Sequence, residues 1–349
     1  EQKLPVTEKN GTAPEKTEHI LNRLIIGAGV CVAVIAVLIG VKLYRQDRQM
    51  DITEPFARSM VLASDPLSAE NRFQAETLSA DLCVGETSVP LNDISFSSQV
   101  KAGLFDLDHK KVLFAQNMYD QVYPASITKI MTALLAMEYN QPDAQVTITE
   151  EDLALEDGSQ MSGLAVGDTV TMDQLFHALL IYSANDAAMA IARQVGGSVE
   201  NFVQMMNDKV KELGLSDTAH FTNCAGVFDE NNYCTVYDMA MILKAALEND
   251  LCREVLAAHT YTTTPTTEHP DGIVISNWFL RRIEDKDSGG EVLGAKTGYV
   301  QEARNCCASY EVSASGTPYI CVTGKAEGGW KQTEGEGIVS WLFHGISLR

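Results

Sequence analysis

Positive charge is scarce in this sequence: 26 lysines and arginines stand against 47 aspartates and glutamates, a formal net charge of -21 with a pI near 4.6. A surface that neutralises phosphates needs clustered lysine and arginine, and no basic tract is present, so nucleic acid is excluded as a partner. The seven histidines are scattered without ligand spacing, so neither a metal nor another cofactor is expected. No internal repeat or low-complexity tract appears, which excludes a solenoid or a fibrous chain. The eight cysteines lack the spacing of a disulfide framework. Cys224 and Cys234 are near enough in sequence to bridge a loop, while Cys306, Cys307 and Cys321 fall on predicted neighbouring strands. Free buried thiols are the expectation.

What is present is a globular composition, 45% hydrophobic and 21% charged over 349 residues, with one segment of another kind. Residues 24–41, "LIIGAGVCVAVIAVLIGV", carry no charge over 18 positions, and Lys42, Tyr44 and Arg45 follow as interfacial anchors. That length spans a bilayer. Arg23 ahead of it fits a signal peptide too, but "VKLYRQDRQM" offers no small-x-small cleavage site, so an uncleaved anchor over 24–44 is expected. Lysine and arginine are balanced across it, with Lys3, Lys9, Lys16 and Arg23 before and Lys42, Arg45, Arg48 and Arg58 after, so charge does not set its orientation. The expected organisation is a tail at 1–23, the anchor, a polar stalk at 45–98, and one folded domain at 99–349.

Within that domain "AGLFDLD" and "KVLFAQN" flank a turn and read as a strand hairpin. "YPASITKIMTALLAMEY" predicts a broadly apolar helix behind Pro124. Thr171 and Gln174 stand at capping-box spacing and open a helix running to about Tyr182. "NDAAMAIARQVGG" predicts a second, stopped by Gly196 and Gly197; a third runs from a Ser198 cap to Gly214, with Met205 and Met206 expected to pack in the core beside Phe202 and Val210; "TVYDMAMILKAALEND" makes a fourth. "VLGAKTGYV", "RNCCASYEVSA" and "TPYICVTGKA" read as strands, and "EGIVSWLFHGI" as a final helix. Strands, then helices, then strands predict an α+β fold in which the early hairpin joins the late strands in one antiparallel sheet.

Ser126 and Lys129 lie one turn apart at the start of the first helix. Taken alone they read equally as an N-cap followed by a solvated lysine, or as a nucleophile with its base. A second Ser-x-x-Lys, Ser98 to Lys101, begins a strand, where residues three apart face opposite sides, so only the helical pair brings hydroxyl and amine together. Ser183-Ala184-Asn185 falls in the break between two predicted helices, and Lys296-Thr297-Gly298 on a late strand. Ser-x-x-Lys, a Ser-Asp-Asn-like element and Lys-Thr-Gly in this order form the signature of penicillin-binding proteins and class A β-lactamases. With no histidine in any of these elements, Lys129 has to serve as a neutral amine, which burial and the charge of Lys296 favour. The N–H groups of Ser126 and Tyr299 are placed to form an oxyanion hole, with Gly298 permitting close approach.

Over roughly 99–345 the chain resembles the serine D-alanyl-D-alanine carboxypeptidases, the low-molecular-weight penicillin-binding proteins. Carrying the resemblance are "YPASITKIMTALLA", "GSQMSGLAVGDTVTMDQLFHALLIYSANDAAMAIA", "FTNCAGVFDENNYCTVYDMAMI" and "GAKTGY". It departs from the family at Ala184, at "NCAGV" where proline and histidine often stand, and at Arg304 where glycine is expected. The resemblance implies a β-lactamase/transpeptidase-like fold, an antiparallel sheet with flanking helices plus an all-helical subdomain, behind one N-terminal transmembrane helix. It further implies that the enzyme trims peptidoglycan stem peptides outside the cytoplasm of a bacterium, held at the cell membrane by that helix, and that β-lactams acylate it. Under it Ser183 relays a proton to the leaving amine, Asn185 holds Lys129 and the substrate amide, and Lys296 with Thr297 takes the terminal carboxylate; Lys325 and Lys331 are candidates for an added basic group there.

Three alternatives share these motifs. A DD-endopeptidase forms the same acyl-enzyme. A class A-like β-lactamase needs a deacylating glutamate in a Glu-x-x-Leu-Asn element, and neither Glu200 nor Glu212 has the following Leu-Asn. A β-lactam- or wall-binding sensor domain acylates without turnover.

Overall fold

Lys101–Asp106 (β1), buried from Ala102 to Asp106, and Lys111–Gln116 (β2), buried at Phe114 and Ala115, pair as the expected antiparallel hairpin. β1 then pairs with Pro318–Ala326 (β9), which pairs with Arg304–Ser313 (β8), which pairs with Gly290–Val300 (β7). The order β2-β1-β9-β8-β7 makes a single antiparallel sheet from the first and last strands of the domain, and it leaves β7, which carries Lys296, Thr297 and Gly298, at an edge. This computed structural model describes residues 85–91, 96–139, 142–284 and 290–326. The expected anchor at 24–44, nearly all of the stalk, and the final helix at 336–346 lie outside the described residues.

One face of the sheet meets the helices. Lys129–Tyr139 (α1) is buried on every side from Lys129 to Met137, as its lack of a polar face requires. It packs against Asn185–Gly196 (α4) and Val236–Leu247 (α6). Met172–Leu180 (α3) starts at the predicted capping box: Gln174 N–H donates to Thr171 Oγ1 at 3.2 Å and Thr171 N–H to Gln174 Oε1 at 3.1 Å. α4 ends on Gly197, whose φ of 76° is the left-handed stop that glycine permits. Val199–Glu212 (α5) begins at the Ser198 cap and buries Phe202, Met206 and Val210. The opposite face of the sheet buries Ala295, Cys307, Tyr319 and Cys321 with Phe279 and Leu280 of Trp278–Ile283 (α8).

The structure differs from the sequence reading at two kinds of place. The helix expected from Pro124 begins as a separate 3₁₀ turn, Ala125–Thr128, and becomes α-helical only at Lys129. Ala125 holds φ at 49°, a conformation that does not propagate a right-handed helix. Several short elements were also not anticipated: Glu150–Leu153 (α2), Asp250–Ala257 (α7), and the ribbons Gln145–Thr147 (β3) with Thr169–Thr171 (β4) and Thr260–Thr262 (β5) with Val274–Ser276 (β6). Segments of three or four residues are too short to carry a readable period, and Asp250–Ala257, at eight, spans little more than two turns.

Candidate active site

The 3₁₀ turn brings residues three apart into register, so Ser126 and Lys129 face the same way. Lys129 Nζ lies 3.1 Å from Ser126 Oγ, 2.7 Å from Asn185 Oδ1 and 2.6 Å from the Ala225 carbonyl. Ser126 is partly exposed while Lys129 is wholly buried. On the other side Lys296 Nζ donates to Ser183 Oγ at 2.8 Å and to the Thr297 carbonyl at 2.7 Å. Three separated stretches of sequence therefore meet in two hydrogen-bonded groups, Ser126–Lys129–Asn185 and Ser183–Lys296, which adjoin through the chain at Ser183 and Asn185 and through the interaction of the two lysine charges. Thr297 and Gly298 follow Lys296 on β7, and Tyr299 stands 59% exposed at the rim.

Burial lowers the Lys129 amine to about 7, against opposing contributions from Cys224 and Asp186. Lys296 is drawn well below the ordinary lysine range, first by burial and then by the Lys129 charge. The two amines therefore do not hold two full charges at neutral pH. Three oxygens surround Lys129 Nζ, an arrangement that serves the ammonium or the neutral amine. Asn185 Oδ1 and the Ala225 carbonyl only accept, so in the neutral amine they take both N–H bonds and leave the lone pair for the Ser126 hydroxyl.

Backbone strain concentrates here. Ala125 and Ser183 both adopt positive φ, 49° and 67°, at positions without glycine. Two glycines are fixed by close approach instead. A Cβ on Gly298 would stand 2.7 Å from the Ser126 nitrogen, and one on Gly226 would stand 1.8 Å from the Ala125 carbonyl oxygen. β7 and the turn at 226 thus clasp the nucleophile's backbone from two sides. Asn185 is held in turn: its N–H donates to the Gln160 carbonyl at 2.7 Å, and the neighbouring buried Asp186 accepts from the Ser162 N–H at 2.9 Å and from its hydroxyl at 2.6 Å.

Ser98 and Lys101 do not form a second site, because Ser98 lies exposed in a turn and Lys101 pairs with Asp120 at 2.6 Å. Lys325, next to last on β9, is exposed, and Lys331 lies outside the described residues. Arg304 is exposed at the first position of β8, paired with Val300 at the end of β7. Cys224, Cys234, Cys252, Cys306, Cys307 and Cys321 are free and buried; burial pushes the Cys224 and Cys306 thiols up to about 12, so neither competes as a nucleophile. Sequence reasoning missed the Ala225 carbonyl, Gln160, Ser162 and Asp186. A backbone acceptor leaves no side-chain signature, although Gly226 beside it marks a constrained turn.

The D-alanyl-D-alanine carboxypeptidase family profile matches residues 88–327. DacF of Bacillus subtilis, a D-alanyl-D-alanine carboxypeptidase, is 33% identical over 209 residues, covering 59% of this chain and 52% of its own length. DacA of Haemophilus influenzae, of the same description, is 30% identical over 288 residues, covering 76% of this chain and 68% of its own. For DacF the match spans about half of the relative's length. Among solved structures, a D-alanyl-D-alanine carboxypeptidase of Mycobacterium tuberculosis aligns with a TM-score of 0.62 at 25% identity, over 75% of this chain and 92% of that one. A variant of a Streptomyces DD-transpeptidase aligns at 0.61 and 25% identity, over 73% of this chain and all of its own.

Proposed function

The chain belongs to the peptidase S11 family of D-alanyl-D-alanine carboxypeptidases, and from that premise we propose that it releases the terminal D-alanine of peptidoglycan stem peptides through an acyl-enzyme on Ser126. The cradle of Lys129 carries this reading: a buried amine at about 7, with both N–H bonds engaged and its free direction 3.1 Å from a partly exposed hydroxyl.

Ser126 Oγ attacks the carbonyl of the penultimate D-alanine, and its proton passes to Lys129 Nζ. The N–H groups of Ser126 and Tyr299 receive the oxyanion, which Gly298 lets approach. Lys296 and Thr297 bind the terminal carboxylate; that anion restores a full charge to Lys296, whose lowered proton affinity comes from burial and a like charge. Ser183, bonded to Lys296 at 2.8 Å, gives its hydroxyl proton to the leaving nitrogen as the C–N bond breaks and takes up the proton that Lys129 received from Ser126, which leaves the Lys129 amine neutral again. D-Alanine departs, water takes its place, and Lys129 accepts the water's proton as it attacks the ester. Collapse frees the shortened peptide and returns a hydrogen to Ser126 Oγ.

β-Lactams enter the same attack and stay, because the ring-opened leaving group remains tethered and blocks the water. Among the described residues no carboxylate hydrogen-bonds Ser126 or Lys129, which favours slow deacylation over a lactamase's rapid one. The apolar run at 24–41 supports a membrane tether behind the stalk, and the wall substrate implies that the domain works outside the cytoplasm. The test is labelling with a fluorescent penicillin followed by peptide mapping. Label on Ser126 and none on Ser126→Ala is expected; undiminished labelling of that variant overturns the assignment.

A further inference from the structure

We propose that Asn223 is a positioning residue for the base: its side chain builds the turn 223–227 that delivers the Ala225 carbonyl to Lys129, and so aims the lysine's lone pair at Ser126. The inference rests on Ser126 and Lys129 acting as nucleophile and base.

Asn223 Oδ1 accepts from three successive backbone N–H groups, those of Ala225 at 3.3 Å, Gly226 at 2.7 Å and Val227 at 3.0 Å. Its Nδ2 donates to the Val227 carbonyl at 3.0 Å. One side chain thereby satisfies the inner polar groups of the turn and fixes its curvature. The turn is anchored to α1 as well, since Thr132 Oγ1 donates to the Cys224 carbonyl at 2.6 Å. Gly226, at φ 80°, seats it against the Ala125 carbonyl and the Ser126 nitrogen with no room for a side chain. What the turn presents to the site is the Ala225 carbonyl, at 2.6 Å the shortest of the three Lys129 contacts.

A neutral amine has two N–H bonds and one lone pair. Asn185 Oδ1 and the Ala225 carbonyl occupy the two N–H bonds, which leaves the lone pair for Ser126. If the carbonyl withdraws, an N–H is free to turn toward Ser126 Oγ, and the lone pair turns away from the proton it must accept. Loosening the turn also admits water to Lys129, which raises its proton affinity back toward that of an ordinary lysine. Because a backbone atom makes the contact, the side chain at 225 is immaterial to it, which accounts for alanine serving where the family often has histidine. The residue that matters is the one that folds the turn.

The test measures acylation of the full chain by a fluorescent penicillin against concentration, from pH 5 to 9, for wild type, Asn223→Ala, Asn223→Asp and Ser126→Ala. Asn223→Ala is expected to lower the limiting acylation rate about 10- to 100-fold, the scale of supporting-residue losses, with the half-saturating concentration little changed. Its pH inflection should rise by about one unit or more from the wild-type value near 7. Asn223→Asp keeps the acceptor oxygens for the three N–H groups and should recover most of the rate at pH 9, where Lys129 is neutral in either protein. A wild-type rate and inflection in a folded Asn223→Ala overturn the inference, as does a loss confined to half-saturation. If Asn223→Ala does not fold, Asn223→Asp decides: an aspartate protein as slow at pH 9 as at pH 6 overturns it. Label on Ser126→Ala would instead mean that the assignment of the nucleophile had failed.

Discussion

Lowering the pH from 8 to 5 should slow acylation by about two orders of magnitude, through one group. Lys129 acts only when neutral, and burial holds it at about 7. Its neutral fraction is then about 0.9 at pH 8 and about 0.01 at pH 5, a fall of roughly 90-fold with a midpoint near 7. An ordinary lysine would be neutral in only about one molecule in 3,000 at pH 7 and would give a rate still climbing tenfold per pH unit at pH 9. A midpoint near 7 is normally the mark of histidine, but among the described residues no histidine hydrogen-bonds Ser126, Lys129, Ser183 or Lys296. Glu311, pushed up to about 8 by burial, stays mostly protonated below that value and adds little to the profile. The assay is the limiting rate of fluorescent-penicillin acylation at half-unit pH intervals. A flat profile, or a rate rising without a plateau beyond pH 9, would refute a neutral buried lysine as the base.

The two lysines should separate on substitution. Lys129→Arg is expected to reduce acylation by at least about 100-fold, the lower range for a lost general base, because a guanidinium stays charged and has no lone pair to offer; Lys296→Arg should chiefly raise the substrate concentration needed, and equal losses of acylation in both would contradict separate roles. Glu311 makes a different prediction. Its Oε1 accepts from Ser309 Oγ at 2.7 Å while Oε2 has no hydrogen-bond partner among the described residues, and burial raises its proton affinity. Raised in the folded state from an unfolded value near 4.5, it gives a stability contribution that is whole below about pH 4.5 and lost as pH rises through about 8. Glu311→Gln should remove that dependence, so thermal melts at pH 9 are expected to show the variant several degrees above wild type, and a variant that melts lower at pH 9 would show that Glu311 is not buried as an acid.

Much of this was legible in the sequence because the relevant signals are local. Thr171 with Gln174, Gly197 and Ser198 announced helix ends through capping chemistry, and the broadly apolar α1 announced a buried helix. The three candidate stretches could be singled out because Ser126 and Lys129 share one turn, and Ser183 and Lys296 fall in a helix break and on a late strand. Other features depend on how the backbone is bent, which side-chain periodicity does not report. The positive φ of Ala125 that opens the 3₁₀ turn, the Ala225 carbonyl that completes the lysine's cradle, and the Asp186 to Ser162 clamp that holds the second element all sit at contacts between segments distant in sequence. Lys129 is lowered as expected, but burial is the cause and Lys296 does not contribute; the like-charge effect falls on Lys296 instead, and burial is a property of the packed site.

The most direct measurement of the central claim follows D-alanine release from a peptide ending in D-alanyl-D-alanine beside β-lactam ring opening, over many equivalents of the same enzyme. Release of one D-alanine per peptide at multiple turnover is expected, abolished in Ser126→Ala, with penicillin consumed at about one equivalent and only slowly beyond it. Rapid catalytic ring opening without D-alanine release would contradict the account.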